Sequence, residues 1–109
     1  MKYHNKKIVI DGIKFDSIKE SNRYKDLKLL EKANLITNLE LQKVFELQPK
    51  YIKDNKHIRA ITYIADFYYY DNELNKYVVE DVKGYRTDVY KLKKKIFEYQ
   101  YPNLTIKEL

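Results

Sequence analysis

Four charged residues interrupt the most apolar part of this 109-residue chain. Asp66 lies inside "YIADF", and Glu80, Asp81 and Lys83 lie inside "VVEDVKG". Both stretches read as strands, where an unpaired buried charge is costly. Side chains two apart on a strand share a face, so Asp81 and Lys83 project together while Glu80 and Val82 project the other way. If the strands form a hairpin pairing 67–70 with 76–79, Asp66 falls near Glu80 or Asp81. One hairpin then gathers two acids and a lysine.

Such a grouping suits phosphodiester chemistry. Two close carboxylates repel, so one must take a proton or a cation must bind. Mg²⁺ prefers oxygen ligands and combines one or two carboxylates with waters and phosphate. It activates water and neutralises charge on phosphorus. A lysine beside acids is expected to remain cationic and could orient the water or stabilise the transition state. The simpler alternative is structural: Asp81 with Lys83, or Glu80 with Arg86, could be an ion pair at a strand end.

Composition narrows the alternatives. The chain has no cysteine, which excludes disulfides and thiolate metal sites, and only two histidines, His4 and His57. Any metal is therefore expected on oxygen ligands. No apolar run approaches the roughly 20 residues of a membrane helix, and "MKYHNKKIVIDG" lacks the apolar core of a signal peptide. The expected location is cytoplasmic, with no membrane partner. A net charge of +6 favours a polyanion such as DNA, although a lysine-rich solvated surface explains it equally. The twelve tyrosines suit base stacking and strand packing alike. Gly12 and Gly84 are the only glycines, so no glycine-rich phosphate loop or dinucleotide motif is present, nor is there a Ser-His-Asp set.

The elements that must position these residues follow from pattern. "KIVI", Asp11-Gly12 and "IKF" read as a tight hairpin. Ser17 with Glu20 makes a capping box, opening a helix over about 18–33 with Tyr24, Leu27 and Leu30 on its apolar face and Asn34 as a stop. A strand is clearest over 44–47, ending at Gln48-Pro49. "DNKH" is a turn, "IRAITYIADFYYY" a strand, "DNELN" a loop and "KYVVEDVKG" a strand antiparallel to it. Thr87 or Asp88 caps a helix to about Tyr99 with Val89, Leu92, Ile96 and Tyr99 as its apolar stripe. Pro102 stops it, and "NLTIKEL" is a last strand. The expected fold class is α/β: one domain over 1–109, with a hairpin over 1–16 and an αβββαβ core over 17–109 built on one mixed sheet flanked by helices.

"YIADF" followed by "VVEDVKG" resembles the PD-(D/E)XK nuclease superfamily, whose signature is an acid on one strand and (D/E)-x-K on the next. The correspondence places Asp66 first and Asp81-Val82-Lys83 second, with Ala65 where the name has proline. The superfamily adds a glutamate from the first core helix, and Glu20 in "FDSIKESNRY" occupies that place, competing with its role in the capping box. The longer stretches "GIKFDSIKESNRYKDLKLLEKANLITNLELQ", "FELQPKY" and "VVEDVKGYRTDVYKLKKKIFEYQYP" look like a small phage and prophage family catalogued as a domain of unknown function and suspected to be endonucleases. The resemblance implies a restriction-endonuclease-like fold and Mg²⁺-dependent (or Mn²⁺-dependent) endonuclease activity on DNA. It implies catalytic Glu20, Asp66, Asp81 and Lys83, and a metal held by Glu20, Asp66, Asp81 and the Val82 carbonyl. Structure-selective cutting of branched or junction DNA, as a possible homodimer, is expected by the same analogy. The competing expectation is a non-catalytic nucleic-acid-binding module.

Several further residues could hold the DNA backbone. Arg86 and Thr87 sit at a helix start, where N–H groups bind phosphate, or serve only as a cap and a solvated arginine. Lys91 and Lys94 share a face of that helix, with Lys95 beside them. Arg59 precedes the Asp66 strand. Gly84 could let a phosphate approach or simply permit a turn. Gln42 and Gln48 flank a strand near the site without an assigned role.

Overall fold

The computed structural model describes residues 7–83 and 85–109. His4 and Gly84, and any reading placed on them, lie outside the described residues. A hairpin of β1 (Ile8–Ile10) and β2 (Ile13–Phe15) leads into α1 (Ile18–Lys32). Next come β3 (Ile36–Gln48), β4 (Tyr51–Lys53), β5 (Lys56–Ile58), β6 (Ile61–Asp71) and β7 (Lys76–Asp81). Helix α2 (Asp88–Gln100) and β8 (Ile106–Glu108) complete the order. The main sheet runs β3-β6-β7-β8, antiparallel except for the parallel β7–β8 pair. It is a mixed α/β fold with one four-stranded mixed sheet, two flanking helices and an N-terminal hairpin. No described helix is long and apolar enough to cross a membrane.

Local chemistry sets the element ends. Asp11 and Gly12 both take positive φ, as a two-residue hairpin turn requires. Ser17 Oγ accepts from Glu20 N at 3.0 Å and caps α1, and Thr87 does the same for α2 through Tyr90 N. Asn34 lies just beyond α1 in the left-handed region. The polar "DNKH" stretch is more than a turn: Asp54 and Asn55, both at positive φ, join β4 to β5 in a small separate ribbon. Strand β3 extends well beyond the apolar 44–47 segment, because its alternating polar residues face solvent. Strand β7 stops at Asp81, so Val82 and Lys83 lie past its end.

The expected stripe of α2 is corrected. Val89, Leu92 and Tyr99 are exposed, and the helix instead buries Tyr90 and Phe97. Aromatic packing decides this, since Phe97 meets Phe45 and Tyr63 of the sheet with ring centroids 4.9 and 5.2 Å apart.

The sheet changes side-chain phase partway along. Phe45, Leu47, Tyr63 and Ala65 pack with Tyr90 and Phe97 of α2. Leu39, Leu41, Phe67 and Tyr69 pack with Tyr24 and Leu27 of α1. All eight strand residues are odd-numbered, so strict alternation would put them on one face. The ladder pairs Leu41 with Phe67 and Lys43 with Ala65, but the intervening Gln42–Asp66 pair is missing. Gln42 has φ 53°, rare for a non-glycine strand residue. The phase therefore reverses at Gln42 and Asp66, and each helix covers a different half of a different face.

A buried ion pair ties α1 to β7. Glu80 is fully buried and receives Arg23 Nε at 2.7 Å and Nη2 at 2.6 Å, together with the Tyr69 hydroxyl. The alternative pairing of Glu80 with Arg86 does not form, because Glu80 points to the α1 side while Arg86 binds Glu108 at 2.9 Å. Removing one partner of a buried pair strands the other charge. Arg23→Ala is expected to lower unfolding stability by about 3 kcal/mol in urea titrations, whereas Arg23→Met combined with Glu80→Met recovers much of the loss.

Candidate functional site

The site forms where the phase reversal, the end of β7 and the start of α1 meet. The β6–β7 register pairs Phe67 with Glu80, so its next step sets Asp66 against Asp81. Asp66 is held from two sides: Oδ2 accepts from Val82 N at 2.8 Å and Oδ1 from Gln42 Nε2 at 3.2 Å. The same Gln42 amide donates to Glu20 Oε2 at 3.3 Å. Gln42 therefore bridges the helix acid and the strand acid. Its left-handed backbone and its polarity in an alternating strand were the available signals, but only the second is visible in a sequence.

Asp81 is almost fully buried on the opposite side of β7 from Glu80. Tyr63 donates its hydroxyl to Oδ2 at 2.6 Å, and Lys83 Nζ lies 3.3 Å from Oδ1. Lys83 also sits over the Tyr90 ring, 4.3 Å from its centroid, a cation–π contact that fixes the ammonium. Lys83 lies past the strand yet keeps the expected side. Burial, followed by the charge of Asp66, pushes the Asp81 carboxyl up, against the lowering effects of Tyr63 and Lys83. Burial also raises the Tyr63 hydroxyl, with the bonded Asp81 reinforcing it, so this phenol stays a donor.

Glu20 carries both of its expected roles in part. Its backbone N completes the cap, while its carboxylate accepts a long 3.4 Å bond from Asp16 N in addition to the Gln42 amide. The carboxylate is buried and directed toward Asp66, and burial, then Asp66, pushes it up to about 7. Among the described residues, no group of three or more Asp, Glu, His or Cys side chains is placed to hold a metal. Glu20, Asp66 and Asp81 are thus not one ready ligand set, because the Gln42 amide lies between Glu20 and Asp66. The donor chemistry nonetheless fits Mg²⁺, which commonly takes one or two carboxylates and fills its other positions with water and phosphate. Asp66 and Asp81 would supply them, since mutual repulsion is what a dication relieves. The Val82 N–H donates to Asp66 Oδ2, and Val82 follows Asp81 directly in the chain.

The basic candidates divide. Lys83, Arg86 and Lys91 line one open cleft of about 430 Å³, with Tyr85, Glu108 and Leu109. Arg86 is tied to Glu108, whose carboxyl is held down first by the Tyr90 hydroxyl and then by Arg86. Thr87, next in the chain to Arg86, is the α2 cap. Lys94 turns toward Glu98 at 3.3 Å, and Lys95 is exposed one position further on. Arg59 is remote: it lies two residues before β6 and lines a separate cavity with the β4–β5 ribbon.

The Glu20 shift has a defined sign. The folded protein retains this proton up to about pH 7, whereas the unfolded chain releases it near 4.5. Stability present below pH 4.5 is therefore lost as pH rises through 7. In EDTA, wild-type Tm should fall across that window, and Glu20→Gln should flatten the fall; thermal melts of both proteins across the pH range check this.

No curated protein and no solved structure matches the chain. A family model does, over residues 1–108, and its description is "Protein of unknown function (DUF1064)". The chain belongs to that family.

Proposed function

We propose that this protein is a metal-dependent endodeoxyribonuclease with a restriction-endonuclease-like core. The observation that carries the reading is the meeting of Asp66 and Asp81 from neighbouring antiparallel strands, with Lys83 Nζ held 3.3 Å from Asp81. Glu20 adds a third carboxylate through Gln42. In the proposed site, Asp66 and Asp81 hold Mg²⁺ or Mn²⁺, and the Val82 carbonyl is a further oxygen at the same strand end. The bound metal supplies activated water and neutralises charge developing on the phosphate.

The protein's own groups do the rest. Tyr63 fixes one oxygen of Asp81, leaving the other toward Lys83. The Lys83 ammonium, clamped between Asp81 and Tyr90, orients the attacking water and opposes negative charge at phosphorus. Arg86 and Lys91 in the adjoining cleft, with Thr87 at the helix start, hold the flanking phosphates. Lys94 and Lys95 extend that basic face, and a homodimer would present two such sites to the two strands of a branched junction.

A second reading, a non-catalytic nucleic-acid-binding module, draws on one specific feature. The Asp81–Lys83 pair is already neutral, and the described acids do not converge as a preformed triad. Cleavage assays on duplex, single-stranded, flap and four-way-junction DNA, with Mg²⁺ or EDTA, separate the two. Wild type should cut with Mg²⁺ and prefer the branched substrates. Asp81→Asn should lose at least about a hundredfold in rate and Lys83→Ala a comparable amount, both retaining DNA binding. Binding without cutting by wild type would support the module.

A further inference from the structure

The β4–β5 ribbon stands apart from the main sheet and is paired only within itself. At its tip, Lys53 pairs directly with Lys56 across the strands. Like charges facing each other on a ribbon are destabilising by themselves. Lys50 and Arg59 flank the base of the ribbon, and Asp54 in the turn is the one acid in this stretch. Among the described residues, none of these four cations forms an ion pair. Tyr51 and Ile52 are exposed beside them. A folded projection that concentrates unneutralised positive charge and apolar surface is complementary to a polyanion with groove walls.

We infer that the β4–β5 ribbon enters the major groove of B-form DNA, with Lys53 and Lys56 on the phosphates, and so sets where the duplex lies relative to Asp66. The inference rests on the nuclease reading for its substrate but not for its test. The groove admits a two-stranded ribbon, whereas the deep, narrow major groove of duplex RNA does not. Placement agrees. The ribbon leaves the sheet between Gln48 and Ile61, and Asp66 lies roughly 17 Å further along β6. That is about five base pairs of duplex. The intervening sheet surface is open, because α1 covers only the other half: Val44 and Ile64, opposite each other, are 55% and 50% exposed. Among the described residues, that exposed face runs from the ribbon toward Asp66 without a helix over it.

The test is binding without cleavage. A labelled B-form DNA duplex is titrated in EDTA with Asp81→Asn protein, alone or carrying Lys53→Gln/Lys56→Gln, over a range of salt. The ribbon variant should bind at least about tenfold more weakly at low salt, with the slope of log K against log salt reduced by about two. Removing two facing like charges should not lower its Tm. Lys25→Gln/Lys32→Gln on α1 makes the same charge change away from the ribbon and should bind nearly as the parent does. Equal losses in the two variants, no loss in the ribbon variant, or an equal loss on duplex RNA would overturn the inference. Failure of wild type to cut DNA would defeat the nuclease reading and leave this binding result standing.

Discussion

Side chains on a regular strand keep to their faces, and this protein places its site where that constraint is broken. Gln42 leaves the β region, the Gln42–Asp66 rung is missing, and the apolar phase of β3 and β6 reverses. Two helices can then each cover half a sheet from opposite sides. The broken rung also frees the carboxylate of Asp66 to meet the Gln42 side chain and the Val82 peptide rather than a core neighbour. Without the reversal, α1 and its Glu20 would not face the end of β7 while Tyr90 approaches from the other side.

The two charges of β7 are separated by the same geometry. Glu80 and Asp81 are consecutive, so they leave the strand on opposite faces. Glu80 is consumed by α1 through Arg23 and Tyr69, and its role is to hold the helix in place. Asp81 faces α2, where Tyr63 and Lys83 leave it partly compensated. A buried carboxylate with two full partners is architecture. One whose ionisation is opposed by burial and by a second acid retains a demand for positive charge.

Much of this was readable from residue types. The Asp11-Gly12 turn, the Ser17 cap and the Pro102 stop depend on local chemistry, and each formed as its residues dictate; the β6–β7 hairpin also formed, but one residue out of the expected register, pairing 67–70 with 77–80. The facing of Asp81 and Glu80 followed from strand period alone. What was not readable depends on tertiary choices. Helix α2 offers two apolar stripes, and only the presence of Phe45 and Tyr63 on the sheet selects the one containing Phe97. The partner of Arg23 is invisible in the sequence, because Glu80 comes from a strand 57 residues further along. Gln42 carried no signal of its unusual backbone, and the β4–β5 strands were too short and polar to announce themselves.

Seven described non-glycine residues adopt positive φ: Asp11, Asn34, Asn38, Gln42, Asp54, Asn55 and Asn75. Six are Asn or Asp, which tolerate that region through local side-chain bonding. The protein thus builds its reversals with only two glycines in the whole chain. Each such choice leaves the unfolded chain with less backbone freedom to surrender on folding than glycine would. The bends come at the cost of some local strain and a smaller entropic penalty. A small domain with a modest core has reason to prefer that exchange.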